Sequence, residues 1–445
     1  MKTPICDFVK DYAGSDALRL HMPGHKGQPL LGAEPRDITE IDGADVLYDA
    51  TGVIRESEEN AAALFGSGVT LYSAEGSSLS IRAMLYLAVL RAKKIGRRPL
   101  ILAARNAHRV FITAAALLDI EVEWLFGEGE LLRCTVTPGM LERAFADAEH
   151  LPVAVYITSP DYLGNTADIK GLAEVCHKHG VLLLVDNAHG AYLRFLPTDC
   201  HPLTQGADLC CDSAHKTLPV LTGGGYLHVS KNAPRELADG AESAMSLFAS
   251  TSPSYLILQS LDAANRYLAE GYRERLSPFA DKVDALKTRL SRHGFSLVGN
   301  EPMKITVATK AFGYHGYELA ATLLEKGIVC EFSDPDYTVF MLTPEVGEDG
   351  LARLEAELLS VPRREAVEVM PPKLPKPVRV CSPREAILSP SVEIDAKDSL
   401  GRTLANPTVA CPPAVPVVVC GERIDEAAIE CFRYYGITRC FVTEE

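Results

Sequence analysis

Short apolar runs alternate along the chain with longer stretches in which apolar residues recur every three or four positions. The runs LILAA at 100 to 104, EVEWL at 121 to 125, VAVYIT at 153 to 158, VLLLVD at 181 to 186 and ADLCC at 207 to 211 predict strands. Between them, Ser80 to Lys94 and Ile169 to His179 repeat their apolar residues at helical spacing. Helical crossovers make the sheet mostly parallel, an α/β unit with its active groups expected at the carboxyl ends of the strands. From about residue 270 the texture changes to a long polar helix pattern, RERLSPFADKVDALKTRLSRHG, then mixed strands and helices with a Pro-rich passage at 369 to 385. The pattern predicts an N-terminal arm at 1–30, a large domain at 31–270 and a smaller α+β C-terminal part at 271–445, the Pro-rich passage crossing the surface as an extended segment.

A chain of 445 residues exceeds the roughly 250–300 at which one hydrophobic core stops growing, in keeping with more than one domain. The 59 acidic and 44 basic residues give a net charge of -15 without long runs. That balance argues against non-specific nucleic-acid binding and mildly favours a cationic ligand. The 12 cysteines form no CxxC pair and fit no zinc spacing, so they read as small buried hydrophobes and no metal site is expected. MKTPICDFVKDYAG lacks the apolar core of a signal peptide, and no long uncharged apolar run follows. The expectation is a cytoplasmic protein, reduced and without a membrane partner.

The chemistry gathers around CDSAHKTLPVLTGGG at 211 to 225. Lys216 follows a buried strand, and Asp186 ends another all-apolar strand in VDNAHGA, with His189 three residues later. A carboxylate at the mouth of a sheet calls for a cationic partner. An acid and a lysine so placed suit a pyridinium nitrogen and a Schiff base on one cofactor. Gly76, Ser77 and Ser78 lead into a helical pattern, where free backbone N–H groups and the dipole favour an anion. Ser213 adds a hydroxyl, and His108, after the LILAA strand, is placed to stack on a flat ring. Each feature alone has a commonplace reading: a surface lysine, a helix cap, a core or surface histidine.

Together they resemble fold-type I pyridoxal-phosphate enzymes. LRLHMPGHKG, DITEIDGADVLYDATGVIRESEENAAALFGS, GSS, RNAHR, TSPDYLG, VDNAHGA, SAHKTLP and TSPSYL, with SPREAI and CPPAVPVVVCGE further on, are similar to the Orn/Lys/Arg decarboxylase family in its short form without an N-terminal regulatory domain. The resemblance implies an aspartate-aminotransferase-like large domain with helices on both faces of its sheet, and a homodimer with active sites at the subunit interface. It also implies Lys216 as the Schiff-base lysine, Asp186 on the ring nitrogen, His108 stacked on the ring and His189 beside its reactive face. The resemblance further implies that Gly76, Ser77, Ser78, Ser213 and His215 surround the phosphate. The implied reaction is decarboxylation of arginine, lysine or ornithine through an external aldimine and a quinonoid.

Four positions depart from the family wording: Glu75 before Gly76, Asp161 where a threonine is usual, Asn187 in place of an acid and Gly223 in place of a glutamine. They leave open another reaction of the same cofactor (transamination, racemisation or aldol-type cleavage) or a non-catalytic relative. Glu75 and Asp161 are candidate partners for a cationic substrate, or else for local arginines such as Arg82 and Arg105. HMPGHKG reads as a turn that carries the arm, with a metal or phosphate site as the alternative; the resemblance implies that the segment from Ser250 to Pro253 reaches a neighbouring subunit's phosphate, a capping or turn role being the alternative.

Overall fold

Strands stand where the apolar runs predict them. In the computed structural model, which describes residues 1–128, 132–407, 410–411 and 415–444, the chain forms β1 (Val69–Ser73), β2 (Leu100–Ala104), β3 (Glu121–Leu125), β4 (Ala154–Thr158), β5 (Leu182–Asp186), β6 (Leu209–Asp212) and β7 (Gly225–Val229). All five expected runs carry a strand, whereas β1 and β7 fall outside them. Every residue of β2, β5 and β6 is buried, the condition that makes a strand read as an unbroken apolar run. The pairs β2–β3, β2–β4 and β5–β6 are parallel, which bears out the mostly parallel α/β sheet, while β7 runs antiparallel to both β1 and β6. Residues 412–414 of CPPAVPVVVCGE lie outside the described residues. Among the described residues no helix is long and apolar enough to cross a membrane.

The chain forms two compact units, Met1–Arg98 with Ile169–Leu276, and Pro99–Asp168 with Ser277–Glu445. In the first, β1, β7, β6 and β5 lie side by side. The helix Gly76–Lys94 buries Leu79, Ile81, Met84, Leu85 and Leu87, and closes on Arg91, Lys93 and Lys94, cations that complement its C-terminal dipole. The helix Val53–Phe65 begins where the Asp45 carboxylate accepts the backbone N–H groups of Thr51, Gly52 and Ile54 at 2.8–3.0 Å, and it ends at Gly66, whose φ of +73° is the left-handed cap glycine favours. A buried polar knot ties four segments together. Asp262 accepts from Ser57 Oγ at 2.6 Å and from the Cys6 backbone at 2.9 Å, while Asn265 donates to the Tyr72 hydroxyl at 2.7 Å.

In the second unit β3, β2 and β4 are adjacent and parallel. A separate antiparallel sheet has the order β10 (Phe332–Ser333), β11 (Tyr337–Met341), β9 (Lys304–Ala308), β8 (Ser296–Val298). Two antiparallel pairs follow, β12 (Ser391–Asp395) with β15 (Arg439–Thr443), and β13 (Ala410–Cys411) with β14 (Val415–Pro416). Val417, Val418, Ile424, Phe432 and Val442 are among the residues of their shared core. Arg105, fully buried, donates to the carbonyls of Pro416 and Val417 at 3.0 Å each and to Glu422 Oε2 at 3.2 Å, with its guanidinium over the Trp124 ring. The buried cation is stabilised because three acceptors replace its water.

Glu58 is a buried acid of the first unit that burial favours in its neutral form. Its Oε1 accepts the Tyr72 N–H at 2.9 Å, fastening the helix Val53–Phe65 to β1, and burial pushes its carboxyl up to about 8. The folded-state value lies above the unfolded one, so the native chain retains a proton that the unfolded chain releases. This contribution is complete below the ordinary value of 4.5 and is lost as pH rises through about 8. Glu58→Gln keeps the acceptor and removes the titration. Urea unfolding of both proteins across this range is expected to show the variant gaining on the wild type as pH rises, by on the order of 3–5 kcal/mol near pH 9. A difference that stays flat with pH refutes the assignment.

Candidate functional site

The first unit brings together the turns that follow β1 and β6, the two strands that flank β7. Beyond β1 the chain turns through Gly76, whose φ is +64° and whose N–H donates to the Gly223 carbonyl at 2.6 Å, and enters the helix Gly76–Lys94. Ser73 Oγ steadies the turn, donating to the Gly76 carbonyl at 2.7 Å and accepting the Glu75 N–H at 3.1 Å. Gly225 makes the approach of the two turns feasible, since a Cβ there would meet the Asp212 carbonyl at 2.8 Å and the Gly76 carbonyl carbon at 3.0 Å. Beyond β6, Ser213 Oγ donates to Ser77 Oγ at 2.9 Å, so hydroxyls from both turns meet at the N-terminus of a 19-residue helix. Ser78 lies half-buried in that helix's first turn. His215 Nδ1 lies 2.8 Å from the Gly224 carbonyl, which only accepts, so the ring proton sits on Nδ1.

Lys216 follows one residue later, with Nζ 3.1 Å from His189 Nε2. His189 stands on the turn after β5, which starts from Asp186. The Asp186 carboxylate is buried and accepts the Ala188 N–H at 3.2 Å and the Cys211 thiol at 3.5 Å. Gly76, Ser77, Ser78, Asp186, His189, Ser213, His215 and Lys216 therefore all belong to one unit. His108 belongs to the other, where it caps the helix Arg109–Leu118 by accepting the Val110 N–H on Nδ1 at 3.2 Å.

Three residues of this region lie outside the motifs that carry the family resemblance: His201, Asp212 and His228. All are fully buried. Asp212 Oδ2 accepts from His201 Nε2 at 3.1 Å and from His228 Nε2 at 3.2 Å, and Oδ1 accepts from Asn187 Nδ2 at 2.8 Å. Burial opposes the charge, but the two imidazoles override it and hold the Asp212 carboxyl well below the usual carboxylate range. Burial pushes His228 down, so it stays neutral, donating from Nε2 with Thr70 Oγ1 2.8 Å from its Nδ1. His201, Cys210 and Asp212 place ligand-type atoms within 4.8 Å of one another. Burial raises the Cys210 thiol well above its ordinary value, however, and the protonated sulfur donates to Asp212 Oδ1 at 3.6 Å. The signal available in the sequence was an acid closing one apolar strand and a histidine inside another.

The four departures acquire local partners. Gly223 has φ +100°, and a Cβ there would lie 3.0 Å from the Ala74 carbonyl and from Ile257 Cδ1, so a glutamine would be strained in this backbone. Asn187 donates to Asp212. Glu75 Oε1 accepts the Ser250 N–H at 2.8 Å, which fastens the segment from Ser250 to Pro253 to the turn before Gly76. Asp161 is buried in the second unit, where it accepts from Asn165 N and from Asn165 Nδ2 at 2.8 Å each. Arg105 pairs with Glu422 rather than with either acid. In HMPGHKG, Lys26 and Gly27 take positive φ, and His25 accepts the Gly27 N–H on Nδ1 at 3.0 Å with Nε2 3.2 Å from Asp37.

An anion cradle of helix N-terminus and hydroxyls, a buried carboxylate and a lysine beside an imidazole form a donor set that fits the phosphate, ring nitrogen and aldehyde of pyridoxal phosphate. The comparisons agree. Arginine decarboxylases of Halalkalibacterium halodurans and Bacillus subtilis are 28% and 27% identical to this chain, over 97% and 96% of it and 93% and 92% of their own lengths. The constitutive lysine decarboxylase of E. coli shares the fold at 17% identity with a TM-score of 0.77, covering all of this chain and 82% of that one. The family model described as Orn/Lys/Arg decarboxylase, major domain, matches residues 3–294, about two thirds of the chain. This chain therefore belongs to the Orn/Lys/Arg decarboxylase family, and it is a pyridoxal-phosphate-dependent amino-acid decarboxylase of fold type I.

Proposed function

We propose that this enzyme releases carbon dioxide from a basic amino acid, with Lys216 carrying the cofactor. Arginine is the first candidate because two of the relatives matched over nearly the whole chain bear the name arginine decarboxylase. Lysine and ornithine stand beside it. The observation that carries the reading is the Lys216–His189 pair at 3.1 Å, in the same unit as the buried Asp186 and the Ser77–Ser213 hydroxyl pair.

When bound, pyridoxal phosphate supplies the aldehyde that captures the amine and a ring that takes up the electron pair left by the departing carboxyl carbon. The protein's part is to hold and to tune. The N-terminus of the helix Gly76–Lys94, with Ser77, Ser78 and Ser213, would offer N–H and O–H donors to the phosphate. The Asp186 carboxylate would hold the proton on the ring nitrogen by accepting its N–H. Lys216 must be neutral to act as a nucleophile, and the imidazole nitrogen beside Nζ is placed to take its proton. The assignment of His108 to the ring rests on the RNAHR motif alone. We also propose a homodimer, supported by the exposed Leu18, Leu20, Leu30 and Leu31 of the N-terminal segment, apolar side chains that a second copy is suited to cover.

Glu75 and Asp161 are candidates for holding the substrate's cationic end or for pairing with local arginines. Asp161 does not fit the first role: burial pushes its carboxyl up, and both oxygens are committed to Asn165 within the turn. Glu75 is exposed and holds the Ser250 N–H.

Three measurements test this reading. Borohydride reduction followed by peptide mapping is expected to find the pyridoxyl group on Lys216, and a label on another lysine overturns the assignment. Carbon dioxide release is expected from a basic amino acid and not from leucine; leucine reacting equally well removes the specificity claim, and a Schiff base with no carbon dioxide from any substrate removes the decarboxylase reading. Asp161→Ala is expected to lower stability by about 1–3 kcal/mol, because it strands two donors of Asn165, while leaving the ranking of basic substrates unchanged. A changed ranking in a variant of unchanged stability returns Asp161 to the substrate.

A further inference from the structure

The turns after β5 and β6 carry the groups assigned to the cofactor, and they are joined at two levels. At the strand ends, Asn187 Nδ2 donates to Asp212 Oδ1 at 2.8 Å, alongside the backbone bond from Asn187 N to the Cys211 carbonyl at 3.0 Å. Further out, Lys216 Nζ and His189 Nε2 meet at 3.1 Å. Asp212 has no freedom to turn, because its other oxygen holds the Nε2 atoms of His201 and His228. Asn187 is confined as well. Its Oδ1 occupies the space beside Gly190, where a Cβ would lie only 2.0 Å away, and its carbonyl accepts the Gly190 N–H at 2.8 Å.

The polarity of the inner contact is fixed. A carboxylate at 212 only accepts, so residue 187 must donate, and an acid at 187 would set two buried carboxylates against each other. We propose that Asp212 is a positioning residue. By gripping the Asn187 amide it fixes the turn from Asp186 to His189, and through that turn the distance from His189 to Lys216. This rests on the assignment of Lys216 as the cofactor lysine. The action of Asp212 passes through Asn187, whose amide it holds at 2.8 Å.

The two positions permit a reversal. In Asn187→Asp/Asp212→Asn, the new amide oxygen at 212 can accept from both imidazoles while its nitrogen donates to the new carboxylate at 187. Wild type, the two single variants and the double variant, each as the full chain, are to be titrated with pyridoxal phosphate, following affinity, the visible Schiff-base band and its pH profile. Apoprotein melting and borohydride labelling of Lys216 are measured alongside. Each single variant is expected to bind the cofactor at least about tenfold more weakly, and the double variant to return to within about threefold of wild type. The pattern separates positioning from a field effect. Asn187→Asp adds a negative charge and Asp212→Asn removes one, so a field effect moves the band's pH profile in opposite directions, whereas misplacement weakens binding in both.

Single variants with wild-type affinity and band, or a double variant no better than the worse single, overturn the proposal. If Asp212→Asn does not fold, Asn187→Ala removes the donor without adding charge, and unchanged affinity and band in that variant overturn it equally. A label on another lysine in the wild type overturns the Lys216 assignment and this proposal with it. Lys216 labelled in all four proteins with unchanged affinity overturns the positioning role alone.

Discussion

A carboxylate sealed from water must be surrounded by donors, and the way Asp212 meets that demand organises the first unit. Its oxygens collect His201 from the loop before β6, His228 from β7 and Asn187 from the turn after β5. Three separate pieces of chain thus converge on one side chain at the end of β6. The next residue, Ser213, already reaches Ser77 across the turn after β1. The close approach of those turns is possible because position 225 has no side chain to intervene. Removing one partner of such a cluster would strand a buried charge or donor, the kind of loss that costs about 3–5 kcal/mol, so its geometry is held far more tightly than that of an exposed pair.

That convergence also explains what the sequence disclosed. Three of the five runs that predict strands, LILAA, VAVYIT and VLLLVD, are almost wholly apolar and almost wholly buried, while EVEWL shows its strand by alternating buried Val122 and Leu125 with charged Glu121 and Glu123. β1 and β7 escaped notice because they carry Thr70, Ser73 and His228, polar residues whose burial is stabilised by partners far along the chain. Thr70 and His228 are 158 residues apart and in contact. No local periodicity records such a pair. The same holds for the site: Ser77 with Ser213 and His189 with Lys216 were grouped by motif, and each pair is in hydrogen-bond contact. His201 and Asp212 lie outside those motifs, and their contact depends on the loop before β6 folding back on the end of that strand.

The departures from the family wording teach a related point. Read as isolated letters, Glu75, Asp161, Asn187 and Gly223 suggest a changed substrate. Read with their partners, three of the four answer local demands: a turn closed by Asn165, an amide required by Asp212, and a backbone with φ +100° pressed against Ala74. Glu75 is the exception in kind, being exposed and tied to a segment rather than to a core. A substitution near an active site is therefore weak evidence about substrate until its own hydrogen bonds have been counted.

The two acids that close β5 and β6 make this concrete. Asp186 and Asp212 end neighbouring parallel strands, and both are buried. An apolar replacement of the trio at 201, 212 and 228 would satisfy packing, and by general precedent buried ionic groups can be exchanged for hydrophobes without loss of stability. Here such an exchange would leave Asn187 Nδ2 without an acceptor in a place where its Oδ1 already has no partner. An apolar residue at 187 would remove that difficulty too, but it would release the turn that carries Asp186 and His189 from β6. The buried charge is thus tied to a polar residue in the turn, and the turn to the site. On this argument stability alone does not account for the cluster, and the orientation of the residues it grips does.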